Sequence, residues 1–206
     1  MTETTRAFIA IELNDQIKET IRQFQAQLKP LGCDISWVKP ENAHLTLKFL
    51  GDVEMKMIPT VTQTLEDSCR GTRPWDTTLT QPGVFPDLRH PRVVWIGLDD
   101  AQKRLAQLVD SLETALGNIG FSAKGARLPA GQGSASGGKK EHREFQAHIT
   151  VGRIKSERKL DTLLDGIKNY KLPSKLVEQI AHVTLYKSTL TSNGPIYTVL
   201  SKFALL

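Results

Sequence analysis

Residues 44–51, HLTLKFLG, and residues 148–153, HITVGR, decide how this chain folds. Both stretches alternate polar and apolar positions with a period of two, the pattern of a half-buried β-strand. On such a strand His44 and Thr46 share one face, and Leu45 and Leu47 turn to the other. His148 and Thr150 repeat the arrangement opposite Ile149 and Val151. A single alternating strand needs no function beyond a solvated face over a core. Two matching copies, 148 − 44 = 104 residues apart, point to a duplicated architecture with one His-x-Thr strand per half.

The flanking sequence repeats as well. Residues Arg6–Leu13 read as a strand that ends at the turn formers Asn14 and Asp15. Ile17, Ile21, Phe24 and Leu28 then fall at helical spacing, closed by Pro30 and Gly32. Two β-like runs follow, Ile35–Val38 and Ala43–Leu50, the second ending at Gly51 and Asp52, and then a helix from about Glu54 to Cys69. In the second half, strands are expected at Trp75–Thr80, Gly83–Phe85 and Val93–Leu98. A helix over Asp100–Leu116 carries Leu105, Leu108, Leu112 and Leu116 on one side. A strand at Gln146–Gly152, a helix over Glu157–Asn169 and strands at Gln179–Ser188 and Ile196–Phe203 complete the chain. Strand, helix and His-x-Thr strand thus occur twice. The fold class is α+β and bilobal, with pseudo-twofold symmetry and a groove between the lobes, all within one domain spanning residues 1–206.

Composition narrows the function classes. The chain has 206 residues, 39% of them apolar and 24% charged, a soluble globular profile. No apolar run approaches the ~20 residues of a membrane-spanning helix, and the N-terminus shows no secretory leader, so no membrane partner is expected and the expected compartment is the cytoplasm. Cys33 and Cys69 are too few for a disulfide framework or a zinc site and are read as reduced core or near-core residues. The net charge of +5 permits a polyanionic partner such as RNA without requiring one. Residues 125–140, GARLPAGQGSASGGKK, lack periodicity and are expected to form a mobile surface loop.

Paired imidazoles suit phosphodiester hydrolysis. One ring, neutral, takes a proton from water, and the other, protonated, gives one to the departing oxygen; both states are populated near neutrality. Threonine hydroxyls beside them donate to phosphate oxygens where charge accumulates. A strained five-membered cyclic phosphate with an adjacent ribose hydroxyl as leaving group needs no metal for this. The sequence contains no HExxH, no paired aspartate cluster and no Cys–His ligand spacing, so no metal and no cofactor are expected. A third copy, His182-Val183-Thr184, lacks the preceding turn and the following glycine and lies outside the duplicated pattern, which gives it a structural or rim role. His90, in a Pro/Arg-rich turn, and His142, bordering the Gly/Ser-rich loop, are read as solvated.

These residues resemble the two-histidine phosphoesterases, specifically the RNA 2′,3′-cyclic phosphodiesterases historically called 2′-5′ RNA ligases (LigT-like). RAFIAIEL is similar to that family's opening strand, WVKPENAHLTLKFLG to its first signature, RVVWIGL to its central strand, EHREFQAHITVGR to its second signature and LYKSTLTSNGPIYTVL to its C-terminal one. The resemblance covers nearly the whole chain. It implies two antiparallel sheets around a basic groove with helices outside. It also implies hydrolysis of RNA 2′,3′-cyclic phosphate ends to 2′-phosphomonoesters, with His44 as general acid, His148 as general base, and Thr46, Thr150 and Arg153 holding the phosphate. Strict alternation from His148 turns Arg153 away from the groove, so that last role requires the strand to bend or end at Gly152. The implied partner is RNA with cyclic phosphate termini, tRNA halves among the candidates, and a monomer is expected.

Two departures stand out: Ala147 occupies the place of a family proline, and the connection between Phe121 and Glu141 is extended. Lys139, Lys140 and Arg143 at its end either reach RNA or belong to an inert insertion. Three other readings compete: 2′-5′ ligation by the reverse reaction, a small-nucleotide cyclic phosphodiesterase, and a non-catalytic RNA-binding module. Phe8, Phe49 and Phe145 are candidate base-stacking aromatics that sequence alone does not place.

Overall fold

The apolar runs of the chain become strands and helices whose order in space explains the duplication. The structure, a computed structural model, describes residues 3–121, 145–173, 176–192 and 194–206, so the 125–140 loop, His142 and the Lys139, Lys140 and Arg143 cluster lie outside the described residues. In chain order the elements are β1 (Thr4–Glu12), α1 (Asp15–Leu28), β2 (Ile35–Trp37), β3 (His44–Glu54), α2 (Ile58–Cys69), β4 (Trp75–Phe85) and β5 (Val93–Leu98). They continue with α3 (Arg104–Asn118), β6 (His148–Ile154), α4 (Leu160–Asn169), β7 (Val177–Ile180), β8 (His182–Thr191) and β9 (Gly194–Ala204).

The strands run in the order β7-β4-β5-β6-β3-β1-β8-β9, with β2 paired to β6, and the pairings are antiparallel. The two expected sheets are therefore two four-stranded halves of one hydrogen-bonded path. β3 and β6, the His-x-Thr strands, are the innermost members, and their meeting point is the Leu45–Ile149 pair. Both residues are fully buried, each contributing ~1.5–3 kcal/mol of hydrophobic stabilisation. The back faces of both halves and the apolar faces of the helices form one core, in which Ile17, Phe24, Leu65, Leu112 and Ile167 meet Leu45, Ile96 and Ile149. Asn14 caps α1 by accepting from the Ile17 amide at 2.9 Å, an interaction worth ~1 kcal/mol.

Several boundaries differ from the sequence expectation. β3 does not end at Gly51 but passes through it, with Gly51 at φ 72°, and continues to Glu54. A short 3-10 turn then delays α2 to Ile58, with Pro59 in its first turn. The two short strands expected around Pro82 are one strand, because a register shift between Thr80 and Pro82 accommodates the missing amide donor. α3 starts at Arg104 rather than Asp100, whose carboxylate accepts from the Leu105 and Ala106 amides. α4 starts at Leu160 after Lys159 adopts φ 54°. The expected strand Gln179–Ser188 is two, because the chain changes halves at Ala181: β7 pairs with β4, and β8 with β1.

Candidate active site

The register of the central pair assembles the site. With Leu45 opposite Ile149, continuing one residue each way sets His44 across from Thr150 and Thr46 across from His148. Diagonal neighbours in such a pair lie roughly 7–8 Å apart at the backbone, so the two imidazoles rise from neighbouring positions on one face of the sheet. Leu45 and Ile149 point to the core, and the two histidines and two threonines point the other way, each half-buried. The structure therefore brings together all four residues that the sequence nominated as two separate pairs.

Each ring is oriented by its own backbone. His44 Nδ1 lies 2.8 Å from the Asn42 carbonyl oxygen and His148 Nδ1 lies 2.7 Å from that of Gln146. A carbonyl only accepts, so Nδ1 carries the hydrogen in both rings and Nε2 is left for chemistry. The turn before each strand thus supplies the same tautomer lock two residues upstream. Burial pushes the His44 pKa below its ordinary value, opposed by the hydrogen bond to Asn42. Among the described residues neither the Thr46 nor the Thr150 hydroxyl has a hydrogen-bond partner, so both are available to a ligand.

Arg153 belongs to the same face, and the reason was not visible in the sequence. On β6, Thr150 pairs with Trp95 and Gly152 with Val94, leaving Val151 as an extra residue. That bulge shifts the phase, so Arg153 falls opposite Val93 and shares the side of Trp95 and Thr150. β3 carries the counterpart: Thr46 pairs with Ala10, Lys48 with Ile9 and Phe49 with Phe8, leaving Leu47 extra. Phe49 is thereby turned to the histidine face, where it is 58% exposed and 6.1 Å from the Phe8 ring.

Aromatic rings that sequence reasoning did not assign wall both histidines. Phe8 lies 4.8 Å from the His44 ring, and Tyr197 meets His44 edge-on at 5.3 Å. Tyr186 stacks on Phe8 at 5.2 Å. In the other half Phe85 meets His148 edge-on at 4.9 Å and stacks on Trp95 at 5.0 Å. Burial raises the Tyr197 phenol pKa, while the positive charges of Arg153 and Arg6 pull it back, which puts both arginines within electrostatic range of this face. The Asn42 side chain also donates to the Pro195 carbonyl at 3.0 Å, tying the β8–β9 hairpin to the turn before His44. The alternation of β1 was a signal for Phe8; the remaining walls required the three-dimensional strand order.

The other histidines lie apart from this centre. His182 opens β8 and is exposed, with β1 between its strand and β3. His90 sits in an exposed turn in which its amide donates to Asp87. Among the described residues no group of three His, Cys, Asp or Glu could hold a metal. No helix there is long and apolar enough to cross a membrane. Cys33 and Cys69 are free thiols, and burial pushes that of Cys69 up to about 11.

Residues 11–95 and 126–197 match the family described as "LigT like Phosphoesterase". The chain belongs to this family. An RNA 2′,3′-cyclic phosphodiesterase of Methanothermobacter thermautotrophicus is 32% identical over 97% of this chain and 98% of its own. One of Methanocaldococcus jannaschii is 34% identical over 96% and 99%. Among solved structures, E. coli LigT complexed with 3′-AMP superposes with a TM-score of 0.72 at 27% identity, covering 98% of this chain and 99% of that one. TT0787 of Thermus thermophilus shares the fold with a TM-score of 0.74 at 24% identity, over 97% of each chain. Each of the two matched segments of this LigT-like phosphoesterase contains one of the strands, β3 and β6, that meet at the centre of the sheet.

Proposed function

We propose that this phosphoesterase hydrolyses RNA 2′,3′-cyclic phosphate ends to 2′-phosphomonoesters by acid–base catalysis between His44 and His148. The observation that carries the reading is the Leu45–Ile149 pairing, which sets the two His-x-Thr pairs on neighbouring strands and on one face of the sheet. The names of the relatives and the 3′-AMP complex of E. coli LigT support RNA as the substrate class.

In this mechanism the neutral Nε2 of His148 takes a proton from water as the oxygen attacks phosphorus. The P–O3′ bond breaks, and Nε2–H of His44 protonates the departing ribose O3′. The depressed pKa of His44 makes its proton easier to give up, and the negative phosphate between the rings favours the protonated form once substrate binds. Thr46 and Thr150 donate to the non-bridging oxygens, and Arg153 offers its guanidinium to the same charge. Ring strain supplies part of the driving force, so the reaction runs without a metal. Joining to a 2′-5′ linkage is the same ring opening with an RNA 5′-hydroxyl in place of water: its oxygen attacks phosphorus, P–O3′ breaks and O3′ takes the proton, a side reaction that stays minor against bulk water.

One copy of the chain supplies both histidines, so a monomer suffices. Two free cysteines suit the reducing cytoplasm, where tRNA halves are among the RNAs that carry cyclic ends. The test is an assay with EDTA present, using an oligoribonucleotide ending in a 2′,3′-cyclic phosphate. Conversion to the 2′-phosphate by wild type but not by His44→Ala is the expected result. No conversion by the folded wild-type protein would overturn the reading and leave a small-nucleotide substrate or an RNA-binding module. Adding a 5′-hydroxyl acceptor to the same assay measures joining.

A further inference from the structure

Gln25 is a fully buried amide on a helix that otherwise turns Ile17, Ile21, Phe24 and Leu28 to the core, and it is 1% exposed. Burying an amide is costly unless its hydrogens are satisfied. Gln25 Nε2 donates to the Val38 carbonyl at 2.6 Å and to the Val151 carbonyl at 3.0 Å. Val151 is the extra residue of the β6 bulge, displaced from the β5 ladder. Its carbonyl also accepts from the Val38 amide at 3.1 Å. The side chain of a first-half helix thus pins the one irregularity that turns Arg153 onto the histidine face.

The other half carries an analogous tie. The nearly buried Lys48, at the β3 bulge, is ion-paired with Glu113 of α3. Phe24-Gln25 in α1 and Leu112-Glu113 in α3 occupy matching places, a buried apolar residue followed by the residue that reaches a bulge. Each helix therefore grips the His-x-Thr strand of the opposite half, just beyond the threonine. An unconstrained strand would relax toward regular pairing, and a shift of one residue would carry Arg153 to the other face.

We infer that Gln25 is a positioning residue for Arg153: its two hydrogen bonds hold the Val151 bulge in the phase that presents the guanidinium to the phosphate. The inference rests on the phosphate-binding role proposed for Arg153. Gln25 touches no substrate, so its effect passes entirely through the bulge.

The test is a double-mutant cycle on the cyclic-phosphate oligoribonucleotide, with Gln25→Met, Arg153→Ala and the double variant. Folding is checked by circular dichroism and by urea unfolding. Gln25→Met preserves length and removes both donors; Gln25→Leu, a second apolar replacement, takes its place if the methionine variant does not fold. The expected result is a loss of about tenfold or more in kcat/KM for each single variant, together with weaker competitive inhibition by inorganic phosphate. The double variant should be no worse than Arg153→Ala alone. Multiplicative losses, or a folded Gln25→Met with wild-type kinetics, would overturn the positioning role and leave Gln25 a stabilising residue. An Arg153→Ala variant with wild-type kinetics would remove the phosphate-binding reading itself, and the positioning role with it.

Discussion

Leu45 and Ile149 face each other across the centre of the sheet, the Cα pair through which the two halves meet. Neither side chain reaches the groove, yet their pairing fixes what does. A slip of one residue would send His44 and Thr46 into the core and bring Leu45 and Leu47 to the surface. Both side chains are fully buried, so the register that assembles the site is the register the core requires. The histidine rings themselves are half-buried and held by carbonyls of their own turns.

Removal of either ring should therefore cost activity and leave the fold. His44→Ala and His148→Ala are each expected to lose ~10²–10⁴-fold or more in kcat. Far-UV circular dichroism should stay close to wild type, and urea unfolding should remain cooperative. His182→Ala, in an exposed position one strand beyond β1, should retain most activity. Rates from single-turnover assays on the cyclic-phosphate oligoribonucleotide decide it; a His182→Ala loss matching that of His44→Ala would be fatal to the two-histidine assignment.

The threonines should behave as donors that matter most as charge builds up. Thr46→Val and Thr150→Val keep the branched shape that suits a strand and delete only the hydroxyl. Each is expected to lower kcat by ~10–10³-fold, below or within the range for losing one oxyanion donor, with little change in stability because neither hydroxyl has a partner among the described residues. Comparison of kcat and KM for the two variants is the measurement. A rise in KM at unchanged kcat would mean that they bind substrate and transition state equally.

Half of this site was legible in the sequence alone. Period-two alternation put each histidine beside its threonine, and the repeated pattern put one pair in each half. That the two halves meet at a groove was read from the duplication; the register in which they pair was invisible, since it depends on strands 104 residues apart in sequence (148 − 44 = 104). Arg153 shows the limit sharply: alternation turns it away from the groove, and the Val151 bulge turns it back. A bulge leaves almost no local signature, because it is set by hydrogen bonds from Gln25 and Val38, both distant in sequence. The same reason hid the continuation of β3 past Gly51 and the change of halves at Ala181.

Acid should destabilise the protein partly through His44. Its folded-state pKa lies below the ordinary value of 6.5, chiefly because burial disfavours the charged ring. The unfolded chain therefore binds the proton more readily than the folded one. The stabilisation that results is present above the unfolded value and is lost as pH falls through the folded value. Thermal midpoints of wild type and His44→Gln, measured from about pH 8 down to about pH 5, should converge toward the acid end, with wild type falling more steeply. Parallel curves would show that His44 contributes nothing to the pH dependence.

The aromatic wall around His148 depends on a glycine. Gly83 lies opposite Trp95 on β5, and a Cβ built there would stand 2.5 Å from Trp95 Cζ2 and 2.9 Å from its Cη2. Trp95 also leans over Gly97, where a Cβ would meet its ring at 3.2 Å and the Thr80 hydroxyl at 2.1 Å. Gly83→Ala must displace the indole, which stacks on Phe85, the ring that meets His148 edge-on. Overpacking of this kind costs ~1–3 kcal/mol, which urea unfolding followed by tryptophan fluorescence would read. The same displacement reaches His148 through Phe85, so kcat should fall by more than the unfolded fraction accounts for. Gly71→Ala provides the control: it has no atom within 4 Å of its Cβ position and a positive φ of 78°, so it should lose stability through the backbone alone and keep the catalytic rate of its folded fraction. If Gly83→Ala and Gly71→Ala both lose stability and both keep kcat, Phe85 and Trp95 are scaffolding for the second half and play no part in holding His148.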